Sequence, residues 1–181
     1  MSPEYVRPYV KAQKNDDRDA EARAEWSELD RRVGAYDEEF AARAKSDGAA
    51  RRLATVPGIG PLNATALAAA VGDGAAFARG RDLAAWLGLV PRQATTGGKP
   101  KLLGISKRGN KHLRKLLVHG ARSAMPSLLK STTPLGAWLR GLVGRVHKNA
   151  ATVALAAKLA RIAWAVLRRG EPFDAAKPAA A

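Results

Sequence analysis

Residues 56–71 read VPGIGPLNATALAAAV, and this stretch decides how the chain folds. An apolar residue, the turn Pro57-Gly58-Ile59-Gly60 and a run of small residues from Pro61 make the pattern of a helix-hairpin-helix. The two glycines permit a sharp turn. Pro61 stands at a first helical turn, where its missing N–H costs no hydrogen bond. Ile59 is expected to plug the turn into the core. The main chain of Gly58, Ile59 and Gly60 is expected to meet phosphate oxygens, because the first N–H groups of a helix have no intrahelical acceptor. Such a hairpin grips duplex backbone without reading sequence. A plain structural turn with no ligand fits the same residues.

Working outward, the pattern stays helical. Residues 49–55, 61–71, 80–88, 110–125, 134–147 and 149–168 read as helices, and no convincing sheet or internal repeat is visible. Leu113, Leu116, Leu117, Gly120 and Ala124 make one face of the fourth of these, and Leu155, Leu159, Ile162 and Val166 stripe the last. Upstream, Trp26, Leu29, Val33, Tyr36 and Phe40 are spaced 3, 4, 3, 4 across a charged helix. That is either a coiled-coil seam or the inner face of an amphipathic helix packed on its own domain. Ser46-Asp47-Gly48 breaks it. The expected fold is all-α: a helix-hairpin-helix-containing helical domain preceded by a long coiled-coil-like helix.

Charge narrows the partner. The chain of 181 residues carries a net charge of +15 and no cysteine. Residues 1–50 hold 12 acids and 9 bases, whereas residues 51–181 hold 4 acids and 22 bases. From Leu83 to Gly170 there are 17 Lys and Arg and no Asp or Glu. A single-sign field of that length repels itself and calls for a polyanion. Without cysteine there is no disulfide or thiolate metal site, which fits a reducing cytoplasm. Met1 to Lys14 lacks the apolar stretch of a secretory signal. The apolar run at 149–167 is interrupted by Lys158 and Arg161, so it reads as a core helix and not a membrane span.

Residues 88–109, GLVPRQATTGGKPKLLGISKRG, are the poorest helix candidate of the second half. They read as a long functional loop with room for a short hairpin. Glycines let the backbone approach a ligand, and Lys99, Lys101, Lys107 and Arg108, followed by Lys111 and Arg114, can neutralise phosphates. The spacing of a phosphate-binding Walker loop is missing. A solvated basic loop is the alternative. His112, His119 and His147 are not at metal-ligand spacing with any carboxylate between 83 and 170.

The run from the hairpin through RDLAAWLGLVPRQATTGGKPKLLGISKRGNKHLRKLLVHGAR to KLARIAWAVLRRGEPF resembles the C-terminal domain of the DEDD-type insertion-sequence transposases, insertion sequence one-ten. That group includes the Piv DNA invertases and the bridge-RNA-guided recombinases. The likeness covers about residues 51–174. It implies a transposase domain at 49–174 with the helix-hairpin-helix at 56–71, a coiled-coil-like helix at 21–48, a remnant of a RuvC-like nuclease domain at 1–20 and a disordered tail at 175–181. In the family a serine in a Ser-Gly-Gly-type loop attacks DNA and forms a covalent link. Its position falls on Thr96, a secondary and β-branched alcohol and so a more hindered nucleophile. Thr95 is the lesser substitute, and Ser106 a backbone or phosphate contact.

Four nuclease carboxylates hold magnesium in the family. The last two positions correspond to Asp16 and Asp19, which also read as an ordinary acidic helix start; the first two would lie upstream of Met1. The expectation is therefore a shortened transposase or site-specific recombinase of an insertion sequence that binds DNA without complete catalysis. The alternatives are a non-catalytic basic DNA- or RNA-binding protein, or a subunit that completes its active site in trans with a full-length transposase. Expected partners are DNA, a structured guide RNA, and a second copy or a full-length relative, in a bacterial cytoplasm and away from membranes.

Overall fold

The structure, a computed structural model, describes residues 16–176. The parts of the expected nuclease remnant before residue 16 and of the expected tail after 176 lie outside the described residues. The chain divides into two compact units, the first running to Glu39 and the second from Phe40.

The first unit, as far as it is described, is helical. It is most of α1 (Asp16–Ser46), an Ala-, Glu- and Arg-rich helix of 31 residues with no proline. The expected seam is bare up to Tyr36: Trp26 is 68% and Val33 58% exposed, with Leu29 and Tyr36 about as open, while Phe40 is half-buried. The ion pair between Arg31 and Glu28, 2.7 Å long and exposed, adds little.

Among its described residues the second unit holds the end of α1, six more helices and a two-stranded hairpin. The helices are α2 (Gly48–Leu53), α3 (Pro61–Val71), α4 (Gly80–Trp86), α5 (Lys111–Lys130), α6 (Pro134–Val143) and α7 (Lys148–Arg169). Short polar side chains set their starts. Asp47 accepts from Ala49 N and Ala50 N at 2.7 and 3.0 Å, Asn110 from Leu113 N at 3.0 Å, and Thr133 from Gly136 N at 3.3 Å. Thus the break at Ser46-Asp47-Gly48 is a single capping residue between α1 and α2.

Helix α7 is the centre of the bundle, with α5, α4, α2 and α6 packed around it. Ala151, Leu155, Ala156, Leu159, Ala160 and Ala163 have no exposed surface at all. Alanines on a buried helix let neighbouring backbones come close, and the leucines then fill the space between. Among the described residues α7 alone is long and apolar enough to cross a membrane, and most of it is buried in this core. Trp164 fastens the loop after α3 to it, its Nε1 donating to Gly74 O at 3.2 Å and Phe77 O at 3.0 Å.

Two elements differ from the sequence reading. Helix α5 does not stop at residue 125 but runs through Pro126. A proline inside a helix costs about 3 kcal/mol. Met125 and Leu128 are buried on either side of it, so packing offsets that cost. Residues 91–105 also form a hairpin: β1 (Pro91–Thr96) pairs antiparallel with β2 (Lys99–Ile105), with a register shift between Pro91 and Gln93. The chain remains a mainly helical protein carrying one small hairpin.

Candidate nucleic-acid interface

The turn before α3 is held by helix α5. A Cβ on Gly58, whose φ is +84°, would lie 2.7 Å from Gly120 O. Asn63, buried, donates from its Nδ2 to Gly58 O and to Leu116 O, each at 3.2 Å. Ile59 is buried as expected, but its N–H donates to Val56 O at 3.0 Å. It therefore has no main-chain donor for a phosphate, whereas Gly60 is exposed and starts α3 with no side-chain cap. The open donors lie at Gly60 and the first turn of α3.

Beside this turn, α5 shows solvent a row of cations. Lys111, Lys115 and Arg122 are exposed with His112 and His119 among them. They fall on one side of the helix by their spacing of three and four. No carboxylate pairs with them; the described residues hold no Asp or Glu from Leu83 to Gly170. In the sequence Lys115 and Arg122 already lie with Lys111 away from the apolar face of this helix, but of the three only Lys111 was expected to meet nucleic acid.

The hydroxyl-glycine loop is the tip of the hairpin. Thr96 pairs with Lys99 across Gly97 and Gly98, whose φ values of 58° and 75° are those of a two-residue type I′ turn. Thr95 faces Pro100 and accepts from Gln93 Nε2 at 3.3 Å. Thr96 is exposed, and its hydroxyl makes no hydrogen bond with the described residues. Lys99, Lys101, Lys107 and Arg108 are all exposed, so the hairpin carries cations from its tip to its base.

Arg114 differs from the other predicted contacts. Its Nη1 donates to Leu87 O at 3.0 Å and to Arg108 O at 3.1 Å. Lys107 N donates to Gly88 O at 3.1 Å and Ser106 N to Val90 O at 2.9 Å. Together these bonds tie the base of the hairpin to the end of α4. The guanidinium is a clamp for the site, placed behind the exposed Lys107 and Arg108.

Of the carboxylates matched to the family's metal ligands, Asp16 lies at the start of α1 and Asp19 is exposed one turn on. Among the described residues no three His, Cys, Asp or Glu side chains converge as metal ligands would.

The second unit therefore displays a capless helix start, a cationic helix face and a cationic hairpin with a hydroxyl at its tip. Comparison with known proteins agrees with that display. The Transposase IS116/IS110/IS902 family matches residues 50–133, from α2 to the end of α5 and just beyond. A probable family 20 transposase of Pseudomonas aeruginosa is 46% identical over 149 residues, which is 82% of this chain and 44% of that protein. The transposase for insertion sequence element IS1111A of Coxiella burnetii is 46% identical over 144 residues, 80% of this chain and 40% of its own. A pilin gene-inverting protein of Moraxella bovis is 35% identical over 130 residues, 67% of this chain and 38% of its own. The chain thus spans less than half the length of these relatives, and the part it shares with them contains the turn, the hairpin and α5. By that shared part, the chain belongs to the IS116/IS110/IS902 transposase family.

Proposed function

We propose that this chain is the DNA-holding portion of an insertion-sequence transposase. The turn at Gly58–Gly60, read as a helix-hairpin-helix, receives one stretch of duplex backbone through the first N–H groups of α3. Lys111, Lys115 and Arg122 follow that backbone along α5. Lys99, Lys101, Lys107 and Arg108 hold a strand against the hairpin, with Thr96 at the position of the family's nucleophile. The observation that carries this reading is the set of exposed cations on the hairpin and α5, with no carboxylate nearby to neutralise them. Phosphate binding releases counterions, so affinity for DNA should fall steeply with salt.

The test is titration of labelled duplex DNA with the purified chain at several salt concentrations. Each lysine on phosphate contributes about 0.9 to the log–log slope. Replacing Lys99 and Lys101 together by Ala should therefore lower the slope by about 2. Thr96→Ala should leave it unchanged. Failure to bind duplex at low salt would end the proposal. Duplex ending in the element's own terminus, random duplex and a structured RNA, run side by side, separate a transposase remnant from a general nucleic-acid binder and from an RNA-guided one. Covalent adducts formed through Thr96 on supercoiled plasmid with magnesium would show that the chain also cuts. The exposed stripe of α1 favours pairing with a second copy or with a longer relative.

A further inference from the structure

A groove of about 620 Å³ lies beside the hairpin, and its walls are apolar. Pro91, Leu103 and Ile105 of the hairpin form one side; Trp138 of α6 and Val153 and Ala157 of α7 form the other. The register shift in the hairpin leaves an extra residue in β2, and Leu103, Gly104 and Ile105 there all reach the groove. Arg81, Lys107 and Arg161 supply its charge, Asn149 its neutral polar group, and no carboxylate lines it. The Nε of Arg161 is buried without a partner. Its guanidinium is held below the ordinary arginine range, by burial first and then by the nearby charge of Arg81.

Two guanidiniums among apolar walls call for an occupant with an anionic edge and a flat apolar body. A nucleotide has both. Its base offers apolar faces to Leu103, Val153 and the indole of Trp138, its edge meets Asn149, and its phosphate answers Arg81 and Arg161. Lys107 lines the groove and also stands on the hairpin's cationic track, so a strand on that track passes over the groove's mouth. We propose that the groove takes an unpaired base of DNA, with that nucleotide's own phosphate at Arg81 and Arg161 and the flanking phosphates on the hairpin. This rests on the DNA-holding reading above and adds a preference to it. The single amide of Asn149 can donate to or accept from any base edge, so the preference is for an unpaired base of any identity, not for a sequence.

The experiment compares three DNA duplexes of equal length with the full chain: fully paired, with a three-nucleotide bulge, and with the same bulge made of abasic nucleotides. Base-to-side-chain stacking sets the expected scale at roughly tenfold tighter binding of the base-containing bulge than of the abasic one. Ala157→Phe, which fills the groove, should abolish that ratio while leaving affinity for the paired duplex unchanged. Arg81→Gln, on the exposed rim, removes a phosphate contact that both bulges share, so it should weaken both bulges and leave their ratio as it was. Helix content by circular dichroism checks both variants. Equal binding of the base-containing and abasic bulges would overturn the proposal, as would a ratio untouched by Ala157→Phe. So would a preference shown only by an RNA bulge. An acidic amphipathic peptide with the sequence of residues 16–46 that binds the wild type but not Ala157→Phe would assign the groove to a protein helix instead. Loss of binding to all three duplexes would count against the DNA-holding reading itself, so the two failures are distinct.

Discussion

Gly58 and Gly120 meet backbone to backbone. A Cβ built on Gly120 would overlap Gly58 O, and one built on Gly58 would lie 2.7 Å from Gly120 O. The contact seats the turn on α5, and so places the helix start of α3 beside the cationic face. Gly120→Ala gains about 1 kcal/mol of helix propensity. It forces an atom against a carbonyl that Asn63 also holds, and overpacking of that kind costs typically 1–3 kcal/mol, occasionally more. The expected outcome is a net loss of up to about 2 kcal/mol in urea unfolding. Gly141→Ala in α6, where a Cβ meets nothing within 4 Å, is the control and should stabilise by up to ~1 kcal/mol. Equal behaviour of the two variants would contradict the packing described.

Arg114 and Lys111 lie three residues apart on α5 and should respond oppositely to substitution. Arg114 bonds two main-chain oxygens through its Nη1, and a lysine side chain, one bond shorter, does not bring its ammonium to that point. Arg114→Lys is expected to cost about 1–2 kcal/mol of stability while leaving the salt dependence of DNA binding as it was. Lys111→Ala is expected to leave stability within about 0.5 kcal/mol and to lower the salt slope by about 1. A slope change in Arg114→Lys with no stability change would put Arg114 on the DNA and remove it from the clamp.

These two residues show what the sequence makes legible. Pro57-Gly58-Ile59-Gly60 announces a turn because glycine and proline act locally. That the turn docks on Gly120 depends on a partner 62 positions away, and no local pattern encodes it. Arg114 sits among cations and so reads as a phosphate contact; its acceptors are main-chain oxygens, which leave no mark in a sequence. The hairpin was legible only at its tip. PRQATT and KPKLLGI are exposed on nearly every residue, so neither needs the apolar alternation by which a half-buried strand is recognised. The longer helices of the second unit, by contrast, bury one face and carry its period openly. The cations of the interface were visible by composition, but their sorting into a hairpin track, a helix face and a groove required the fold.

Lys158 is buried, with its ammonium 5.2 Å from the ring centroid of Trp138. Burial, and then the charge of Arg161, lowers its pKa below the usual 10.5. The folded protein therefore releases this proton at a lower pH than the unfolded chain does. Between those two values the unfolded chain binds more protons, so the Lys158 contribution to stability rises with pH up to about 10.5. Lys158→Met removes that contribution together with the cation–π contact. Unfolding free energies at neutral pH and near pH 10 should show the wild type gaining on the variant as pH rises. A constant difference between the two proteins across that range would refute the assignment.

Helix α1 presents Trp26, Leu29, Val33 and Tyr36 to solvent at heptad spacing. Burying one aliphatic side chain of this kind contributes about 1.5–3 kcal/mol. In a symmetric pair of helices each substitution acts twice, so Val33→Asp should raise the dissociation constant by at least about 100-fold. Val33 is exposed, so stability of the Gly48–Arg169 helices and their DNA affinity per chain should persist. Sedimentation equilibrium over a range of concentrations is the measurement. The wild type should shift from the mass of one chain toward that of two, and Val33→Asp should stay at one. If both stay at one, the stripe does not pair with itself, and co-purification of the wild type, but not of Val33→Asp, with a longer relative becomes the deciding observation. If both reach the same higher mass, the association runs through another surface and the seam has no part in it.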